Sequence, residues 1–405
     1  MTRRSRSLTS LCALAALTTL LLVAVLAQPV PAAGPSATVT VKNPIALARP
    51  SETIVIAAAA IKAALTVDDL RKVHVTDAAS GKEVLAQAID LNDDGTFDQL
   101  IFQADLAVNA TRTFTLSVGD RHVYTPGQFK AFGRFVRERR DDYAWENDRT
   151  AHRMYGKALE TWAQEPLTSS TVDVWFKRTR RLVVNEWYMV DDYHRDNGDG
   201  ADMYSAGKSR GCGGNGIWDG GKLYGSRNFV DSRTIAHGPI RVMFELTYAA
   251  WDANGKTVTE VKTITLDAGH NLNRFESRYA VLPAAVLTQA AGIKKHPAAL
   301  VAQEAAKGIL RTWEPVKTDG SFFGCGVIVD PKSVVSFAEA DGNLLVATSV
   351  VDNGTVTYLA GAGWNKSGDF KGVEDWDAYL DQAAQRWRAP VVVTIAAGPA
   401  GEIQR

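Results

Sequence analysis

Alternation with a period of two is the feature that most limits what this chain can fold into. β-Branched and aromatic residues alternate with polar ones over residues 38–41, 99–106, 111–118, 171–189, 239–251, 257–266, 273–281, 333–337, 343–349, 355–359 and 391–396. Side chains two apart share one face of a strand, so each run predicts a strand with one face on a core and one on solvent. Gly, Asp and Asn close most of the runs, as turns between antiparallel strands require. One stretch, 375–387, reads as a helix: it is acidic at its start, carries Arg388 near its end, and meets Pro390 as a stop. The fold class that follows is all-β, a large antiparallel β-sandwich (supersandwich-like) with a small N-terminal β-module.

Three segments organise the 405 residues. Residues 1–33 join a basic start (Arg3, Arg4, Arg6) to an apolar run and the small residues Ala32 and Ala33. That is the pattern of a signal peptide, and it predicts a secreted or periplasmic protein. No second apolar segment follows, so no membrane partner is expected after cleavage. Residues 34–125 form the small module, "YTPGQFKAFG" (124–133) reads as a linker, and 126–405 form the large sandwich. Cys12 leaves with the signal, and Cys212 with Cys325 form either one disulfide or two buried thiols. Lys plus Arg equals Asp plus Glu at 45 each, so no net field favours nucleic acid. A polymer partner must be recognised by local chemistry.

Two stretches concentrate that chemistry. "RERRDDYAWENDRTAHRMYGKAL" (137–159) surrounds Trp145 and Tyr155 with Glu146, Asp148, Arg149, His152 and Arg153. Apolar ring faces beside charged groups suit a polyhydroxylated ring with a carboxylate. "DDYHRDNGDGADMYSAGKSRGCGG" (191–214) contributes His194, Tyr204 and Arg210. Both are expected to meet at one cleft, with His152 beside His194. The bland alternative is a pair of solvated segments held by ion pairs. Asp196, Asp199 and Asp202 offer oxygen ligands to calcium or another divalent cation, although their spacing of three is not that of an EF-hand loop. No cofactor is required by the chemistry considered. The turn "DLNDDGTFD" (90–98) matches half a calcium loop but has Ile101 at the twelfth position, and its Asp-Gly reads better as a hairpin. His237 and His270 stand at strand ends, near Arg241, Arg274 and Glu276 on one open face.

The strings "DDYAWENDRTAHRMYG", "YHRDNGDGADMY", "HGPIRVMFELTY" and "LDAGHNLNRFE" together resemble the bacterial family of domain of unknown function 4861, over roughly residues 40–400. The resemblance implies an exported protein of the kind found beside polysaccharide-degrading enzymes, hence a polysaccharide or oligosaccharide partner. It carries no catalytic residue with it.

Elimination on a uronate needs a base for the C5 proton, an acid for the leaving oxygen and a cation for the carboxylate. His152 or His194 can be the base and Tyr155 or Tyr204 the acid. Arg149, Arg153 or Arg210 can hold the carboxylate, with Trp145, Glu146 and Asp148 against the sugar. A glycoside hydrolase would instead pair two carboxyl groups from Glu146, Asp148, Asp196 and Asp202. A glycan-binding protein would need only stacking platforms, for which ten tryptophans and eleven tyrosines are present. The residues leave all three open.

Overall fold

The computed structural model describes residues 35–163, 167–190, 192–350 and 354–398. The stretch read as a signal peptide lies outside them. The rest is all-β: the alternating runs form five antiparallel sheets. The largest has eight strands, running in space from Phe229–Ala236 through Arg241–Asp252, Thr257–Asp267, Leu272–Leu282, Thr355–Trp364, Phe322–Ile328 and Ile309–Pro315 to Leu300–Glu304. One of its faces shares a continuous core with two five-stranded sheets. Phe244, Ile264, Phe275 and Tyr358 meet Ile217, Ala291 and Val346 of one and Tyr143, Trp145 and Phe176 of the other. Burying such side chains contributes about 1.5–3 kcal/mol each, and the same face also buries the polar residues Glu260, Lys262, Asn273 and Ser277.

The helix Val373–Arg388 covers part of the opposite face, setting Trp376, Leu380 and Ala384 on Trp313 and Ile328. Gly324 and Gly363 bare the sheet for it, since a Cβ there would lie 2.5 and 2.8 Å from the Trp376 ring. Cys212 and Cys325 are both buried as thiols in the sandwich core.

Ser36–Lys42, Thr111–Val118, Val73–Asp77 and Glu83–Val84 form one sheet of the N-terminal module, and Arg49–Ala57, Gln99–Leu106 and Ala86–Ile89 form a second. They enclose their own core around Ile54, Phe102, Phe114 and Leu116. The first sheet is completed from the far end of the chain: Val392–Ala397 pairs with Ser36–Lys42, Ala397 opposite Ala37 and Val392 opposite Lys42. The turn 90–98 is a hairpin whose Asp90 carboxylate accepts the backbone N–H groups of Asn92, Asp93 and Gly95 at 3.2, 2.8 and 2.8 Å. His270 donates from Nε2 to the Ser51 carbonyl at 2.9 Å, tying the sandwich to the module.

One expected strand divides. Residues 171–189 form the strand Asp173–Lys177 and then the short helix Val184–Tyr188. Arg178, Arg180 and Arg181 break the alternation, and Glu146 accepts the N–H groups of Val183 and Val184 at 2.8 and 2.7 Å, satisfying donors that a helix start leaves open.

Candidate active site

The five-stranded sheet that contributes Tyr143, Trp145 and Phe176 to the main core carries the candidate site. Its strands Asp142–Asn147, Thr150–Tyr155 and Asp173–Lys177 lie side by side. Tyr143, Trp145, Met154, Val174 and Phe176 face the main core. Ala144, Ala151 and Trp175 face a second cluster with Val183, Val184 and Trp187. Alternation then assigns Asp142, Glu146, Arg153, Tyr155, Asp173 and Lys177 to this second face. It is a charged sheet face, and the helix Val184–Tyr188 and the loop after it cover it. Gly200 and Gly211, both at positive φ, let that loop touch the strand: a Cβ would collide with the carbonyls of Phe176 and Val172.

Buried charges need partners, and the face provides two centres. At the first, Lys177 Nζ donates to Glu146 at 2.6 Å and to the carbonyls of Asn147 and Arg181 at 2.6 and 2.7 Å. This pair holds the covering helix. At the second, Arg153 reaches three carboxylates: Asp173 at 2.8 Å, Asp202 at 2.9 Å and Asp142 at 3.5 Å. Tyr155 donates to Asp173 at 2.8 Å and Tyr188 to Asp142 at 3.1 Å. The guanidinium also lies 5.4 Å from the ring centroids of both Trp175 and Tyr155. Above this cage the Tyr193 hydroxyl accepts from Arg139 Nε at 2.7 Å and Arg153 Nη1 at 3.1 Å. His194 follows, its ring 4.5 Å from that of Tyr193. Its Nδ1 lies 2.9 Å from the Asp202 carbonyl and 3.3 Å from the Asp202 carboxylate, while 58% of its side chain is exposed. A cavity of about 140 Å³ opens beside them, lined by Trp187, Val190, Tyr193, Arg195 and Asn197.

Three carboxylates outnumber the buried guanidinium. Burial pushes the Asp142 carboxyl up to about 7 against the pull of Arg153 and Arg139. Burial and then Asp173 push Asp202 well above the usual range, although Arg153 is in contact. Asp142 Oδ1 and Asp202 Oδ1 have no hydrogen-bond partner among the described residues. Native Asp142 keeps a proton that the unfolded chain releases near pH 4, so its contribution to stability is complete below about pH 4 and is lost as pH rises towards 7. Asp142→Asn keeps the neutral form at every pH. Its melting temperature relative to wild type is expected to rise by a few degrees between about pH 5 and pH 8. A difference that stays flat across that range would show an Asp142 already ionised in the native state.

The expected residues separate by strand face. Arg153, Tyr155, His194 and Asp202 come together, so the two enriched stretches do meet. His152 is corrected: it neighbours Arg153 in sequence and points to the opposite face. It stacks on Trp145 at 5.2 Å, Asn273 Nδ2 donates to its Nε2 at 3.1 Å, and burial lowers it to about 3. A neutral core imidazole cannot meet substrate. Trp145 is corrected with it, fully buried and donating to Asn273 at 2.7 Å. Tyr204 is buried edge-on to Phe323 at 5.4 Å, and Arg210 is buried with Nη1 on the Asn215 carbonyl at 3.1 Å. Neither reaches the cage. Glu146 belongs to the Lys177 centre, Asp148 accepts from Gly269 N at 2.6 Å, and Arg149 pairs with Asp369, to which Arg180 also reaches at 2.7 Å.

The metal expectation is corrected too. Asp196 is taken by Arg178 and the N–H groups of Gly198 and Gly200, Asp199 by Arg181, and Asp202 by Arg153. These three do not converge at ligand distance among the described residues. Tyr193, Arg139 and Asp142 lie in the two enriched stretches, whereas Asp173 and Trp175 lie outside both and were not expected at the site. The available signal was the charged residues Asp142, Glu146, Arg153, Asp173 and Lys177, all on one parity of three otherwise apolar strands.

A second and larger cavity, about 400 Å³, lies between the module, the eight-stranded sheet and the long helix. Arg241, Asp267, His270, Arg274, Arg386 and Trp387 line it. Its charges are already matched in part: Arg241 forms a two-pronged pair with Asp267 at 2.6 and 2.8 Å.

A family model described as "Domain of unknown function (DUF4861)" matches residues 41–393. "Uncharacterized protein P7" from Formosa agariphila is 34% identical over 373 residues, covering 88% of this chain and 93% of that protein. Among solved structures, a protein in the glycosyl hydrolase family 38 from Enterococcus faecalis is similar with a TM-score of 0.51 at 10% identity, covering 91% of this chain. An α-mannosidase from Enterococcus faecalis V583 gives 0.45 at 10% identity over 91% of this chain. The chain spans about half the length of these two, 48% and 47%. At such identity the first likeness speaks for the fold alone.

Proposed function

The chain belongs to the family of domain of unknown function 4861, and from that premise and the covered charged face we propose an exported carbohydrate-active enzyme that cleaves a uronate-containing glycan by β-elimination. The observation that carries this reading is the Tyr193–His194 pair. With Nδ1–H donated to Asp202, His194 presents Nε2 as the lone-pair nitrogen of an exposed imidazole. Beside it, the Tyr193 oxygen accepts from two guanidinium groups, which leaves its own O–H to donate to a leaving oxygen.

The step balances on these groups. His194 Nε2 takes the C5 proton, the C–H electron pair becomes the C4=C5 bond, and the C4–O bond breaks. The leaving oxygen takes the Tyr193 proton, and exchange with solvent then returns a proton from His194 to Tyr193. Arg195, exposed and lining the adjacent cavity, supplies the cation for the substrate carboxylate. Hydrolysis by paired carboxylates has less support, because Glu146, Asp148 and Asp196 are each engaged by a cation or by backbone N–H groups. The basic and apolar start of the chain supports export, which is where such glycans are met.

Incubation with a panel of uronic and neutral polysaccharides tests the reading. New ultraviolet absorbance from an unsaturated uronate is expected. Reducing ends without that absorbance would replace elimination by hydrolysis, and retarded migration in glycan-containing gels without either product would make the protein a binder.

A further inference from the structure

The N-terminal module holds a cluster that the proposed reaction does not use. His74 lies on the strand Val73–Asp77, Glu83 on its partner Glu83–Val84, and His122 on the segment that leaves the strand Thr111–Val118. One ring nitrogen of each histidine and one oxygen of Glu83 lie within 4.8 Å of one another. The two rings are 4.3 Å apart, and His122 stacks on Tyr124 at 5.8 Å. All three side chains are half-buried or exposed, so ions in solution can reach them.

Both imidazoles are oriented by the backbone. His74 Nε2 donates to the Asp120 carbonyl and His122 Nε2 to the Val73 carbonyl, each at 2.9 Å. Donation from Nε2 leaves Nδ1 as the lone-pair nitrogen of each neutral ring, and a backbone carbonyl behind one nitrogen is how ligating histidines are commonly held. Gly119 makes the first of these contacts feasible, because a Cβ there would lie 2.8 Å from His74 Nε2. His74 Nδ1 then stands 2.6 Å from Glu83 Oε1. Two lone pairs at that distance repel unless a positive charge lies between or beside them. A proton can serve, and so can a metal ion drawing both atoms and the second imidazole around it.

We propose that His74, Glu83 and His122 form a site for a zinc-type divalent transition metal, with water in the remaining position. Two imidazoles and one carboxylate are a borderline donor set that favours zinc, copper(II) or nickel, whereas calcium and magnesium call for oxygen ligands throughout. The ion would clamp the segment after Val118 to the module's sheet, where the chain leaves for the large sandwich.

The test uses untagged mature protein stripped with chelator and titrated with zinc chloride by calorimetry, and with cobalt(II) by visible absorption. One zinc per chain is expected, with cobalt bands typical of nitrogen and oxygen ligands and no heat with calcium chloride. His74→Ala and His122→Ala should each weaken zinc by about 100-fold or more, and Glu83→Gln by about 10-fold. If a variant fails to fold, zinc protection of the wild-type histidines from diethyl pyrocarbonate, mapped by peptide mass, decides instead. Zinc binding that is absent, or that survives both histidine variants undiminished, overturns the site, as does unprotected His74 and His122.

Discussion

Arg153→Met is expected to destabilise the protein by roughly 3–5 kcal/mol, seen as a fall in melting temperature of roughly 5–10 °C. The size follows from what the change leaves behind. Asp142, Asp173 and Asp202 converge on this guanidinium in a fully buried place, and Tyr155, Trp175 and Tyr193 pack around it. Without that cation, three carboxyl groups lie under the covering loop with Arg139 as the remaining positive charge near Asp142 and Asp202, and the nearest relief is to bind protons. The deficit should therefore shrink in acid, where the carboxylates are neutral in both states. Adding Asp202→Asn to Arg153→Met should recover part of the loss, since the second change removes an acidic group that the first left without its arginine. Melting curves of the single and double variants at neutral and acid pH are the measurement. A single variant that melts within a degree or two of wild type would mean that the cage is not the closed ionic centre described.

His194→Ala is expected to have the opposite profile. Removal of a general base typically costs ~10²–10⁴ in turnover, while an exposed loop side chain contributes little to the folded state. Asp202 keeps Arg153 as its partner in this variant, so the cage is left closed. The expected outcome on a uronate polymer is therefore near-complete loss of product with melting within about 1 °C of wild type. Undiminished turnover would remove His194 from the reaction. A large fall in melting temperature would recast it as part of the covering loop's attachment.

The sheets were legible because burial on one side of a strand leaves a direct record in the sequence. Gln99–Leu106, Thr111–Val118 and Asn343–Ser349 have the predicted limits. The helix Val373–Arg388 was legible from its charged ends and the proline after it. The site was legible as a neighbourhood only. His152 and Arg153 are adjacent, and nothing local says which will face the core; that is decided by Asn273 and Trp145 on one side and by Asp202 and Tyr193 on the other, contributed by residues up to 121 positions away. The same limit explains the aspartates of the loop. Their spacing resembled a cation site, but the arginines that occupy them come from 18 residues earlier for Asp196 and Asp199 and 49 residues earlier for Asp202. The stretch 171–189 was misread for a related reason, since the helix inside it begins where a carboxylate from a different strand accepts its first N–H groups.

The pairing of Val392–Ala397 with Ser36–Lys42 sets an order of events for the growing chain. Contacts between such distant residues carry a large loop-closure cost and form late. Until they form, Ser36–Lys42 is an unpaired sheet edge, the kind of surface that recruits strands from other molecules. The strand Val392–Ala397 is thus the module's own edge guard, and it is made long after the edge that it covers. A chain that stalls or is cut before residue 392 leaves that edge open however well its sandwich has folded, which ties the solubility of the small module to the synthesis of residues 392–397.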